Sequence, residues 1–92
     1  MSDIEQLKSR LMELWDSSEE THSVFRQTMA QLNLSRGVAD RMNLKSRCAD
    51  IEERYDLTMD ELRSVYSTLS IHGIDCMDYI DGVLEERKRS GQ

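Results

Sequence analysis

Metal binding is the first chemistry to consider, because the chain carries two histidines and two cysteines. His72 and Cys76 are four residues apart, but the intervening Gly73 predicts a turn, so one helix face would not present both. His22 and Cys48 are the remaining soft ligands. A zinc site needs about four ligands with local pairs such as C-x-x-C, and this sequence has no such pair. We therefore interpret the histidines as polar side chains and the thiols as reduced and partly buried, and we predict no metal.

Carboxylates are the other candidates for chemistry. Asp75, Asp78 and Asp81 recur at a spacing of three, but they lack the glycine-bearing calcium loop, so capping and helix-dipole roles are favoured. General acid–base catalysis needs a carboxylate in a dry pocket. The sequence has no nucleophile elbow and no glycine-rich phosphate loop. We expect neither an enzyme nor a cofactor.

Composition and charge restrict the partners. The net charge of −6 argues against broad binding to a phosphate backbone, so no direct nucleic-acid contact is expected. No apolar run approaches the roughly 18 residues of a membrane span, and the first residues do not resemble a secretory signal. Two cysteines do not make a disulfide framework. These features predict an intracellular, cytoplasmic protein, and the basic run at 87–89 is also compatible with a nuclear address.

The strongest pattern lies between residues 44 and 69. Seven of its eight positions are apolar, and they follow one another at alternating steps of four and three. Such a heptad predicts a helix whose one stripe packs along another helix. We call this stripe the second seam, because another heptad stripe precedes it in the chain. Its members are Leu44, Cys48, Ile51, Tyr55, Thr58, Leu62, Val65 and Leu69.

A weaker seam precedes it and is interrupted by three hydroxyl side chains. Ser2 begins a capping box that would start this helix. Ser17 and Thr58 are each followed three residues later by glutamate. This spacing is that of a capping box, so a helix break at either position is an alternative. The heptads pass both points without a change of phase, which favours continuous helices. The members of the first seam are Ile4, Leu7, Leu11, Leu14, Ser18, Thr21, Phe25, Thr28 and Leu32.

Turn chemistry separates the helices. Asn33 is predicted as a left-handed helix cap and Ser35 as the start of the next helix. Gly73 is predicted as a left-handed C-cap and Asp75 as the following N-cap. Cys76 would then stand at a helix start, where we expect a thiol reagent to reach it, whereas Cys48 lies in the second seam and should be protected.

Together the patterns predict an all-α chain with a single helical domain over 1–92. Two long antiparallel helices, 3–33 and 36–72, form a coiled-coil-like hairpin. A shorter C-terminal helix, 75–89, completes a small helical bundle.

Apolar side chains also flank the seams, more of them than two helices can cover. Exposed patches of this kind usually mark contacts, and a two-fold dimer is the commonest solution. The sequence thus predicts a non-catalytic interaction module that forms a homodimer, with Trp15 at or near the interface, and presents a helical face to a protein partner. For Trp15, core packing against another helix is the alternative interpretation, and an interface anchor is the functional one. The candidate interface residues are Leu11, Leu14, Trp15, Met29, Met59 and Tyr66.

Two short likenesses suggest particular partners. L-M-E-L-W-D (11–16), S-R-C (46–48) and E-L-R-S-V-Y-S-T-L (61–69) resemble, in that order, the N-terminal dimerisation region of the microtubule bundlers of the spindle midzone. That resemblance implies a dimerising helical hairpin. Y-D-L-T-M-D-E-L-R-S-V-Y-S (55–67) resembles a segment of the Hha-type modulators of bacterial nucleoid proteins. It implies an acidic regulator that binds a basic, nucleic-acid-associated protein by charge complementarity.

Overall fold

The fold is an antiparallel helical hairpin with a shorter third helix. The computed structural model describes residues 3–91, and within them it contains three α-helices and no strand. Helix α1 spans Asp3–Leu34, α2 spans Val38–Ile71 and α3 spans Cys76–Gly91. The predicted all-α hairpin with a C-terminal helix is therefore confirmed. The proposed cap at Ser2 lies outside the described residues.

The two seams face each other along the hairpin, and every position of both is buried or half-buried. Three of the four hydroxyl members, Ser18, Thr28 and Thr58, donate a hydrogen bond to a carbonyl of their own helix. Ser18 Oγ donates to the Trp15 carbonyl at 2.8 Å, and Thr28 Oγ1 donates to the Val24 carbonyl at 2.8 Å. Thr58 makes the same kind of bond to the carbonyl four residues earlier. These hydroxyls bond backward along a continuing helix, as serine and threonine can, so neither helix breaks at the possible capping boxes.

The turn between α1 and α2 is closed by an arginine. Arg41 Nη1 donates to the carbonyls of Leu32, at 3.0 Å, and Ser35, at 3.1 Å, which lie at the end of α1. Helix ends leave carbonyls without an intrahelical partner. The predictions for Asn33 and Ser35 are wrong: no non-glycine residue in 3–91 has a positive φ, and the N-cap of α2 is Gly37. The end of α1 is instead closed by the Ser35 amide, which donates to the carbonyls of Gln31, at 3.0 Å, and Leu32, at 3.2 Å, together with the Arg41 side chain.

The turn between α2 and α3 follows the prediction. Gly73 has φ 81°, its amide donates to the Ser70 carbonyl at 3.0 Å, and the Ile74 amide donates to the Leu69 carbonyl at 3.1 Å. This pair of bonds is the Schellman motif. Asp75 Oδ1 then accepts the amide three residues on, at 3.1 Å. The turn fixes the direction in which α3 leaves the hairpin.

Helix α3 runs parallel to α1 along one half of the hairpin. Lys8 Nζ lies 5.3 Å from the centroid of the Tyr79 ring, and Arg87 donates two hydrogen bonds to Asp16, at 2.8 and 2.9 Å. Both pairs are 71 positions apart in the sequence, so the two helices keep one register. The same offset places the end of α3 level with Glu20. Beyond that level the hairpin continues as two helices only, and we call residues 21–56 the distal arm.

The apolar core lies in the three-helix half. Its buried residues come from all three helices and are Leu11, Met12, Leu14, Val65, Leu69, Cys76 and Ile80. Cys76 is 1% exposed, and its thiol donates to the Tyr66 carbonyl at 3.8 Å. Burial raises the pKa of this thiol, and the nearby Asp75 carboxylate adds to the shift. The predicted accessibility of Cys76 is therefore wrong, because the turn directs the first residues of α3 onto the core.

The distal arm makes the molecule elongated. The Cα radius of gyration is 17.1 Å, whereas a compact domain of this length would have about 12 Å. The accessible surface is 6830 Å², against about 5,500 Å² for a compact chain of this mass. The structure thus exposes about 1,300 Å² more than a compact fold would.

Candidate interaction surfaces

Three of the predicted interface residues lie in or against the core. Leu11 and Leu14 are buried, and Trp15 is half-buried against the same cluster. The reason is the placement of α3, which closes over this half of the hairpin. Leu11 and Leu14 are therefore core residues of the chain itself rather than residues that a partner could reach.

The other three candidates lie on the flanks of the seams. Met29 and Tyr66 are just over one third exposed, and Met59 is half-buried. The thiol of Cys48 donates to Met29 Sδ at 3.6 Å, which holds this methionine over the seam. The structure does not bring the six candidates into one surface. The residues of the second seam face α1, so the hairpin itself uses them.

The most open apolar side chains of the arm stand at its tip. Leu34 is 82% exposed, Val38 76% and Met42 67%. Since large apolar side chains are usually buried, a concentration of them at one end of a small domain is informative. We call these three residues the tip patch. This patch was not predicted from the sequence, although the spacing of four between Val38 and Met42, both off the seam, was the available signal.

A groove lies on one flank of the distal arm. It has a volume of about 270 Å³ and is lined by His22, Phe25, Glu52, Tyr55 and Asp56. The ring centroids of His22 and Tyr55 are 6.1 Å apart, with the rings tilted by 42°. Both carboxylates are exposed, and neither engages in an ion pair with another residue of 3–91. Aromatic faces beside carboxylates attract cations, so the groove is suited to a basic side chain.

The groove continues the surface on which α3 packs. Trp15, His22 and Met29 follow one another at a spacing of seven and therefore share one flank of α1. Trp15 is half-buried in the three-helix half, whereas His22 is exposed just past the level where α3 ends. The heptad spacing was visible in the sequence, but the point at which α3 stops was not.

Ion pairs join the helices of the three-helix half, which we call the base. Arg10 pairs with Glu61 across the hairpin and with Glu13 on its own helix. These contacts raise the pKa of the Arg10 guanidinium, the Glu61 hydrogen bond most of all. The two hydrogen bonds from Arg87 lower the pKa of the Asp16 carboxyl. The Asp16–Arg87 contact joins the end of α3 to α1, so it helps to set where the uncovered surface begins.

Comparison with known protein families, curated proteins and solved structures finds no match to this chain. Within residues 3–91, no three histidine, cysteine or acidic side chains are grouped as a metal would need. No described helix combines the length and the apolar character that crossing a membrane requires. The candidate interaction surfaces are the tip patch, the groove and the charges around them.

Proposed function

We propose that this protein is a non-catalytic helical interaction module that self-associates as a dimer through its distal arm and presents a helical face to a protein partner. The observation that carries the proposal is the tip patch. Leu34, Val38 and Met42 are each at least two thirds exposed. The hairpin covers none of them, and α3 ends well short of them.

The surface area of the chain supports self-association. A standard interface takes about 800 Å² from each partner, and the chain exposes about 1,300 Å² beyond that of a compact fold. A two-fold arrangement lets one patch serve both copies. The net charge of −6 opposes association only weakly, because the screening length at physiological salt is about 8 Å.

The other flank of the arm remains for a different protein. Val24 and Leu57 are exposed apolar side chains, and a shallow groove of about 170 Å³ lies beside Val24, lined also by Ile51 and Arg54. A helix laid along this flank would find an apolar floor and charged rims, which is the usual form of helix recognition.

Sedimentation equilibrium of the full chain over a micromolar concentration series tests the dimer. We expect a reversible monomer–dimer equilibrium that shifts to monomer when Val38 and Met42 are both changed to serine. Ile71→Ser is the matched control, because Ile71 is 83% exposed at the opposite end of the hairpin. A wild-type chain that stays monomeric throughout the series would refute self-association.

A second candidate function is an acidic regulator that binds a basic, nucleic-acid-associated protein. The net charge of −6 favours it. Binding by charge complementarity weakens steeply as salt rises, whereas apolar binding does not. The affinity for an isolated partner, measured at low and high salt, separates the two functions. A dimerisation module like that of the midzone bundlers would share the self-association and differ in its partner.

A further inference from the structure

The outer surface of α2 carries a second heptad stripe. It follows steps of four and three, which keep side chains on one face of a helix, and it lies on the flank that holds the groove. All of its members are exposed except Met59, which is half-buried. The members of this outer stripe are Val38, Met42, Lys45, Ala49, Glu52, Asp56 and Met59.

Charge is distributed unevenly along this stripe. Ala49 stands near its middle, Lys45 lies on the tip side, and Glu52 and Asp56 lie on the base side. At about 1.5 Å per residue, Lys45 is about 6 Å and Glu52 about 4.5 Å from Ala49 along the helix axis. Val38 and Met59 are about 16 and 15 Å from Ala49, on opposite sides. A two-fold axis near Ala49 would therefore bring each cation level with a carboxylate, and each apolar end level with the other.

We infer that the protein dimerises through antiparallel packing of the outer stripes of two copies, with Lys45 of each copy entering the aromatic and acidic groove of the other. This inference rests on the proposed self-association and specifies its geometry. The small side chain of Ala49 lets the two helices approach at the centre. The groove then supplies two carboxylates and the rings of His22 and Tyr55 to one ammonium group.

Charge complementarity favours the antiparallel arrangement over the parallel one. Side-by-side parallel stripes would set Lys45 against Lys45 and Glu52 against Glu52, and like charges brought together are unfavourable. Arg26 lies one turn after His22 on α1 and opposes an incoming cation, but Glu52 and Asp56 outnumber it. Exposed ion pairs are individually weak, so the charges select the orientation while Val38, Met42 and Met59 provide apolar area.

A charge exchange between copies tests this geometry. Lys45→Glu and Glu52→Lys should each weaken the homodimer about tenfold, since each places two like-charge contacts in the two-fold interface. An equimolar mixture of the two variants should recover the wild-type affinity, because a heterodimer then carries complementary charges at both contacts. Glu53→Lys is the control, since it makes the same charge change at the next position, off the stripe. All three positions are exposed, so helical circular dichroism should be unchanged.

Sedimentation of each variant and of the mixture distinguishes the outcomes. A wild-type dimer that both single variants leave intact, or a mixture that fails to recover, would overturn this geometry while the proposed dimer stands. An equal loss with Glu53→Lys would also overturn it, because net charge alone would then explain the effect. A wild-type chain that is monomeric at every concentration would overturn both the geometry and the proposed function.

Discussion

The docking of α3 can be tested by one substitution on its buried face. Ile80 is 3% exposed and belongs to the core cluster. Replacing a buried isoleucine by alanine costs about 2–5 kcal/mol, and a terminal helix can relax, so we expect about 2–3 kcal/mol for Ile80→Ala. A domain of this length has a total stability of about 5–14 kcal/mol. The melting temperature should therefore fall by roughly 10–20 °C.

Thermal and denaturant unfolding, followed by circular dichroism at one fixed protein concentration, measures this loss. Met77→Ala is the matched control, because Met77 lies on the same helix and is about half exposed. Trp15 is the only tryptophan and packs against the core to which α3 contributes, so its emission should shift to longer wavelength when α3 detaches. If Ile80→Ala unfolds like Met77→Ala, with unchanged Trp15 emission, then α3 does not pack on the hairpin as described.

Three further substitutions and measurements test the core, the thiols and the ion pair. Leu62→Asp places a charge against the core and should remove cooperative melting; an unchanged melt would put residue 62 on the surface. Cys48 should react with a thiol reagent before Cys76, which lies deeper and whose pKa is raised by burial; the reverse order would contradict the packing of α3. The pKa of Asp16 is lowered mainly by the hydrogen bonds from Arg87. The contribution of the ionised Asp16 to folding stability is therefore complete above the ordinary carboxyl pKa, and it is lost as pH falls through the lowered pKa. Asp16→Asn should thus cost about 0.5–1 kcal/mol at neutral pH and nothing in strong acid, and a pH-independent cost would rule out the ion pair as the cause.

The hairpin was predictable because burial along a helix repeats locally. Steps of four and three identify a stripe without knowledge of what covers it, and both seams proved to be covered. The hydroxyl positions were harder, since Ser18 and Thr58 carry the residue types of helix caps. In the structure their hydroxyls bond to carbonyls of the preceding turn. The continuity of the heptad phase was the better guide, because it reports on the whole helix rather than on four residues.

The placement of α3 was not predictable, because it depends on contacts far apart in the sequence. The Schellman turn at Gly73 was visible, but the direction that it gives to α3 was not. The pairing of Asp16 with Arg87 joins residues 71 positions apart, and nothing local specifies it. For this reason Trp15 was predicted at an interface and Cys76 in solvent. Leu11 and Leu14 were also counted as interface candidates, although they are members of the first seam and face α2. The predicted Asn33 cap failed for a similar reason, since part of the hydrogen bonding at this helix end comes from Arg41, which lies in the next helix.

The uneven burial along the hairpin connects its fold to its proposed association. The fully buried apolar side chains lie in the three-helix half, whereas Thr21 and Thr28 occupy seam positions of the distal arm. A two-helix arm with hydroxyls in its seam buries little apolar surface and should open more readily than the base. The tip patch and all of the outer stripe except Met59 lie on this same arm, so a second copy would cover the part of the chain that α3 leaves uncovered. Binding that favours the folded arm stabilises it by mass action. Amide hydrogen exchange in residues 21–56 should therefore slow as protein concentration rises, while exchange of Leu69 and its neighbours should not. If exchange in the arm does not depend on protein concentration, then association does not stabilise the arm.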